Sequence, residues 1–229
     1  MVKKIKKIVA CEHGRKGGLG TAQFGMVLCR CCRHEFPPWP PQTPLGDFCK
    51  ECRPALLRID LACGQNKTKD YTGVDIAAVD GVDVVHDLRE RPWPFKDESA
   101  EDLVANHFFE HLTGRERIAF MEECYRILVP GGHLKIVVPY WANARAIQDP
   151  THAWPPVCEA SFLYFNQAWL KENKLDHYGI RCDFDFGYAY NIKAAWGGRN
   201  DESKMFAVMH YVNVADDLVV TLTKRAVGT

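Results

Sequence analysis

The run LLRIDLACGQN (Leu56–Asn66), followed nine residues later by the acid of YTGVDI, constrains this chain more than any other stretch. It predicts a buried strand over Leu57–Leu61, a turn at Gly64 and a second strand ending in Asp75. Small residues at the mouth of the first strand let a ligand touch backbone, and an acid at the tip of the second suits the two hydroxyls of a ribose. That is the logic of nucleotide-type binding at the carboxyl ends of parallel strands. The turn lacks the G-x-G-x-x-G of dinucleotide folds, so a pyrophosphate is not the expected guest. A smaller, cationic nucleoside fits better.

The pattern continues in order. VDVVHDL (82–88) predicts a third strand ending in Asp87, and AEDLVANHFFEHL (100–112) a fourth that runs into a loop. ERIAFMEECYRIL places Ile118, Met121, Cys124, Tyr125 and Leu128 at helical spacing, and PGGHLKIVVPY predicts a turn and a fifth strand. CDFDFGYAYNIKAAW alternates as a strand, ESKMFAVMHYVNV has helical character, and DDLVVTLTKR predicts a final strand. Over roughly residues 55–225 this succession resembles the class I S-adenosylmethionine-dependent methyltransferases. The resemblance implies an α/β, Rossmann-like fold with a seven-stranded sheet closed by an antiparallel C-terminal hairpin. It implies that the turn from Asp60 through Ala62, Cys63 and Gly64 to Gln65 lies under the methionine part of S-adenosyl-L-methionine, and that Asp75 and Ile76 meet the ribose end. It further implies that Asp87 and Leu88 flank the adenine and that Asn106 and His107 close the far side. Where many members carry GxG, this chain has CGQN.

Composition bounds the alternatives. The chain has 229 residues, and no apolar run approaches the roughly 18 residues of a membrane span. MVKKIKKIVA is basic, with a short apolar stretch and no evident cleavage site, so a cytoplasmic protein without membrane attachment is expected. Six of the ten cysteines fall in the first 52 residues and the others sit within strand or helix patterns, which argues against a secreted disulfide framework. Net charge is zero but uneven: residues 1–54 carry ten Lys/Arg against four Asp/Glu, and the remainder nineteen against twenty-five. The expected organisation is a basic module over 1–54 and a catalytic domain over 55–229.

In the basic module, Cys29 and Cys32 form one C-x-x-C pair and Cys49 and Cys52 another, with sixteen residues between the pairs. Two such knuckles offer four thiolates to a structural Zn2+, as in a zinc ribbon. Cys31 lies inside the first knuckle, and Cys11 with His13 makes a lower-ranked ligand pair. Arg30, Arg33, Lys50 and Arg53 flank the knuckles, with Phe36, Trp39 and Phe48 nearby. Such a set suits single-stranded nucleic acid, or equally supplies the small core of the module.

After the fifth strand the chain leaves regular patterning for about twenty residues, where loops are usually functional. The narrower resemblance here is to small bacterial and phage methyltransferases of type 11, which often carry an Asp-Pro-Thr-His turn before an aromatic helix that begins near a Ser-Phe pair. In this chain these are Asp149–His152 and Ser161–Phe165. His152 is the first candidate for a group near the transferring methyl, with Asp149 orienting it; the same four residues also read as a turn that caps the next helix. His111 is a third catalytic candidate, or a histidine hydrogen-bonded into the fold. Tyr140 and Trp141 could wall a planar or cationic group, and Lys171–Asp183 suggests a lid or docking loop. No Asn/Asp-Pro-Pro-Tyr tetrad marks a nucleic-acid amino group as acceptor. Two functions follow: methyl transfer to an acceptor the sequence does not name, with the zinc module positioning substrate or partner, or a non-catalytic binding scaffold on the same fold that binds nucleic acid through its basic module.

Overall fold

The computed structural model describes residues 27–28, 35–36 and 56–225. The chain divides into two units after Ala55. In the first, β1 (Val27–Leu28) and β2 (Glu35–Phe36) pair antiparallel, Val27 opposite Phe36. Cys29, Cys32, Cys49 and Cys52, expected to hold zinc, lie outside the described residues, as do Cys11, His13 and Cys31.

The second unit is built on a seven-stranded sheet. In chain order its strands are β3 (Leu57–Leu61), β4 (Thr72–Asp75), β5 (Val84–Val85), β6 (Ala100–Asn106), β7 (Leu128–Pro139), β8 (Phe184–Ile192) and β9 (Ala215–Lys224). The spatial order is β5-β4-β3-β6-β7-β9-β8. β5 through β7 run parallel, whereas β9 is antiparallel to β7 and to β8. The expected Rossmann-like sheet with an antiparallel C-terminal pair is present, with the last strand inserted between β7 and β8. β3 is central, and Ile59, Asp60 and Leu61 are all buried, as befits a parallel strand covered on both faces.

α1 (Gly114–Ile127) buries Phe120, Met121, Cys124 and Ile127. Its start is fixed by Glu116, whose carboxylate accepts from the Thr113 backbone N–H (2.8 Å) and hydroxyl (2.7 Å), a capping arrangement that lowers the Glu116 pKa. Phe120 meets Phe109 and Trp93 edge-on, and Phe109 stacks on Phe162. The expected irregular stretch after β7 contains only the short helix α2 (Arg145–Gln148) and a 3-10 segment over Glu159–Phe165 before α3 (Gln167–Glu172). α4 (Asp201–His210) begins at Asn200, whose side chain accepts from Ser203 N.

One expected strand ends early, and the next gives way to a loop as expected. The third covers only Val84–Val85, because β5 is an edge strand with β4 as its sole neighbour. Its ladder closes with His86 N donating to Asp75 O, and Asp87 lies beyond it in a turn where its carboxylate accepts from Arg89 N. The fourth stops at Asn106, because His107 turns the chain with φ +52° into the 3-10 turn Phe109–His111.

One glycine is dictated by close approach. A Cβ on Gly73, in β4, would lie 2.7 Å from Gly81 O and 2.8 Å from Cys63 Sγ. Gly73→Ala is therefore expected to cost about 1–3 kcal/mol through overpacking, read as a lower urea midpoint.

Candidate functional site

The parallel strands β3, β4, β5, β6 and β7 all end on one edge of the sheet, and most of the predicted site residues stand there. The β3 exit is strained. Ala62 has φ +59° and Gly64 φ +52°, so a non-glycine residue is held in the left-handed region at the mouth of the central strand. Asp60, 1% exposed, accepts from Thr68 N at 2.6 Å and thereby fastens the loop that follows the turn. Cys63 N bonds Val74 O, tying the turn to β4. Cys63 is itself buried, and its thiol pKa is pushed up to about 11 by desolvation and the nearby Asp60 and Asp75.

Asp75 stands at the tip of β4. Its Oδ2 accepts from Gly64 N and its Oδ1 from Ala77 N, each at 2.9 Å. A carboxylate has about four acceptor positions, so each oxygen keeps capacity for a hydroxyl. Ile76, beside it, is 62% exposed, an apolar surface next to a polar tip. A Cβ on Gly64 would meet nothing within 4 Å, so the space above the turn is open. These three features fit a nucleoside with a free ribose. Asp87 lies on the same edge, whereas the Leu88 side chain is buried and its carbonyl accepts from Trp93 Nε1. Leu88 thus belongs to the core beneath the expected adenine position.

β6 ends at Asn106, which is exposed, followed by His107 in the left-handed region. His107 Nδ1 lies 3.4 Å from Glu110 Oε1 and its Nε2 4.0 Å from Asp217 Oδ1. The Glu110 carboxylate raises the His107 pKa above its usual value. Asp217, near the start of β9, also takes Arg145 (3.0 Å) and Asn191 (3.1 Å).

The three residues predicted to be catalytic come together beyond β6 and β7. The rings of His111 and His152 meet edge-on with centroids 4.8 Å apart. Asp149 Oδ1 accepts from Thr151 N (2.8 Å) and Thr151 Oγ1 (2.7 Å), so Asp149 closes a turn, whereas the next helical segment is capped at Cys158. Its Oδ2 stands 3.8 Å from His152 Nε2. His152 Nδ1 faces Ala146 O at 3.1 Å. Of the expected aromatic wall, Trp141 is half-exposed but Tyr140 is buried against Tyr190.

Two residues outside the predicted set matter here. Arg117, on α1 and buried, donates to Phe109 O, Pro155 O and Ala153 O, which pins the segment around His152 to the turn around Glu110. Glu110 is 5% exposed, and neither of its carboxylate oxygens has a hydrogen-bond partner among the described residues. The signal for Glu110 in the sequence is its place between His107 and His111, one turn past a strand end.

Residues 56–136 match the family model Methyltransf_11, described as a methyltransferase domain. No curated protein matches the chain. Among solved structures, a S-adenosylmethionine-dependent methyltransferase from Archaeoglobus fulgidus is similar at 17% identity and a TM-score of 0.51, over 74% of this chain and 86% of that one. One from Mesorhizobium loti is similar at 12% identity and a TM-score of 0.42, over 74% and 91%. The segment that carries the Asp60–Gly64 turn, Asp75 and Glu110 thus matches a methyltransferase domain, and the sheet has the class I methyltransferase fold.

Asp60→Ala is expected to leave the part-buried Thr68 N–H without its acceptor, at a cost of about 1 kcal/mol or more. Asp60→Asn, which keeps an acceptor, should recover most of that, and equilibrium unfolding of the two variants checks it.

Proposed function

We propose that this protein is a S-adenosyl-L-methionine-dependent methyltransferase. The observation that carries the reading is Asp75, a carboxylate with free acceptor positions at the tip of β4, set against the strained Ala62–Gly64 turn and the exposed Ile76. Asp75 would hold the ribose hydroxyls, Ala62, Cys63 and Gly64 would lie under the methionine portion, and Asp60 would keep the turn in place. Asp87 would mark the adenine end, with Leu88 supporting from below, and Asn106 and His107 would close the far side. The bound cofactor supplies an electrophilic methyl on a sulfonium, which needs little further activation. The protein's share is to align the acceptor and exclude water.

On the acceptor side stand His152, His111 and Asp149. With its Nδ1 hydrogen given to Ala146 O, His152 offers its Nε2 lone pair as the proton acceptor for a hydroxyl nucleophile. The acceptor itself is unidentified. Polar tips on β3, β4 and the segment after β5 favour turnover over a purely scaffolding role, because a scaffold has no need of acids there.

The N-terminal module is read as a Zn2+ knuckle pair of Cys29, Cys32, Cys49 and Cys52. The reading draws support from β1 and β2, which flank the first C-x-x-C as an antiparallel pair. Its excess of basic residues suits an anionic partner such as nucleic acid, and the whole protein is read as cytoplasmic. Replacing Cys49 and Cys52 by Ser is expected to remove one equivalent of tightly held zinc, measured by elemental analysis of the purified chain.

Calorimetry tests the cofactor. The full chain should bind S-adenosyl-L-methionine, and Asp75→Ala should weaken it by roughly 1.5–3 kcal/mol, the scale of hydrogen bonds to a charged group. Unchanged affinity in a folded variant would remove Asp75 from the ribose site.

A further inference from the structure

Burying an ionised carboxylate without partners is costly, and native proteins rarely leave one so. The Glu110 carboxyl group is in that position: its side chain is 7% exposed, and neither oxygen has a hydrogen-bond partner among the described residues. The guanidinium of Arg117 lies close enough to feel its charge, yet it spends its N–H groups on backbone carbonyls, including Glu110's own at 3.5 Å. Among the described residues the cationic contact to the carboxylate is His107 Nδ1 at 3.4 Å, an ion-pair separation on a half-exposed ring.

Two imidazoles stand beside this carboxylate, and both have their tautomer fixed from behind. His111 Nδ1 lies 3.0 Å from Thr151 Oγ1 and 3.4 Å from Thr151 O. The carbonyl can only accept, and the hydroxyl already donates to Asp149 Oδ1, so His111 Nδ1 carries the hydrogen. His152 Nδ1 faces Ala146 O at 3.1 Å and must likewise donate. In the neutral form of each ring, Nε2 is therefore the nitrogen that offers a lone pair. A histidine that gives one N–H to an oxygen and presents the other nitrogen unprotonated is the usual arrangement of a metal ligand with its supporting partner.

We propose that Glu110, His111 and His152 bind a first-row divalent cation. One ligand atom from each already lies within 4.8 Å of the others. Ligands at about 2.0–2.1 Å from a tetrahedral ion stand about 3.4 Å apart, so the three need to draw together by a little over 1 Å, within reach of side-chain rotation. Two imidazoles and one carboxylate, without thiolate, suit Zn2+, Fe2+, Co2+ or Mn2+, and three protein ligands leave coordination positions for water or an oxygen donor. Asp149, whose Oδ2 is 3.8 Å from His152 Nε2, adds a second carboxylate beside the ion. The pairing of the two loops is rigid: Ala153 N donates to Glu110 O at 2.8 Å, and Arg117 bridges the same segments. The site sits at the edge where β6 and β7 end. Its assignment to the methyl-acceptor side rests on the methyltransferase reading, whereas cation binding does not. In the cation-loaded protein the His152 lone pair is committed to the ion, so His152 becomes a positioning residue rather than a proton acceptor.

Co2+ is the probe. The full chain, with zinc retained by its thiolates and no S-adenosyl-L-methionine present, should take up about one equivalent of Co2+. The visible d–d absorption should appear without the intense thiolate charge-transfer band that cysteine ligation produces. His111→Ala, His152→Ala and Glu110→Gln should each weaken Co2+ by tenfold or more, with circular dichroism confirming the fold. His133→Ala, on a strand far along β7 from this edge, should leave it unchanged. If Glu110→Gln fails to fold, the two histidine variants decide. Absence of the cobalt absorption overturns the proposal, as does wild-type affinity in folded His111 and His152 variants. Loss of Co2+ binding on His107→Ala alone would make Glu110 the partner of an ion pair instead. Cofactor binding measured separately by calorimetry keeps a failure here distinct from a failure of the methyltransferase reading.

Discussion

Everything at the functional edge depends on the register of one strand. Leu61 of β3 lies opposite Val74 of β4 on one side and Ala105 of β6 on the other. Asn106 in turn lies opposite Val137 of β7. The strands therefore end nearly level: Ala62, Asp75 and Asn106 each come one residue after a register partner. A slip by one residue would turn every side chain to the opposite face. Burial of β3 on both faces and the tight seat of Gly73 against Gly81 and Cys63 fix the register against such slips. The backbone bonds that follow, Cys63 N to Val74 O and Gly64 N to Asp75, are consequences of that alignment.

The second organising element is Arg117. It projects from α1, which lies between β6 and β7 in sequence, and donates to carbonyls on both sides of the candidate acceptor region. Burial lowers its pKa and Glu110 opposes that shift. An arginine can bridge four carbonyls because its donors fan out in a plane and it stays charged even when desolvated. The outcome is that His111 and His152, far apart in sequence, are held ring to ring by a helix side chain that belongs to neither loop.

Much of this was legible in the sequence, and the reasons differ by element. The central strands were visible because interior parallel strands read as apolar runs, and Asp60 and Asp75 stood out as acids that break them at their ends. α1 announced itself through helical spacing, whereas its Thr113–Glu116 cap emerged only in the structure. β5 was overestimated because VDVVHDL has the composition of a longer strand, and only its edge position limits it to two residues. The Asp149–His152 turn was found, but its pairing with His111 was not, since that contact spans the whole of α1 and β7. Glu110 was hidden for another reason. An acid between two histidines at a strand end looks solvated, and only the packing of Phe109, Arg117 and Ala153 around it shows that it is buried. Leu88, expected beside the adenine, has a buried side chain, and its carbonyl accepts from Trp93 Nε1.

The electrostatics of the edge divide it into two halves. On the cofactor half, Asp60 and Asp75 are satisfied by the backbone N–H groups of Thr68, Gly64 and Ala77. Such bonds meet the hydrogen-bonding needs of a carboxylate without cancelling its charge, so this half keeps a negative field, which on the proposed reading would favour a cationic sulfonium. On the other half, Asp216 and Asp217 are met by Lys193 and Arg145 at 3.5 and 3.0 Å, which neutralises them. Between these two regimes lies Glu110, buried, with His107 at 3.4 Å as its cationic neighbour and no hydrogen-bond partner among the described residues. On the readings proposed above, a sulfonium and a divalent ion would each be a positive centre met by a separate carboxylate on the same sheet edge.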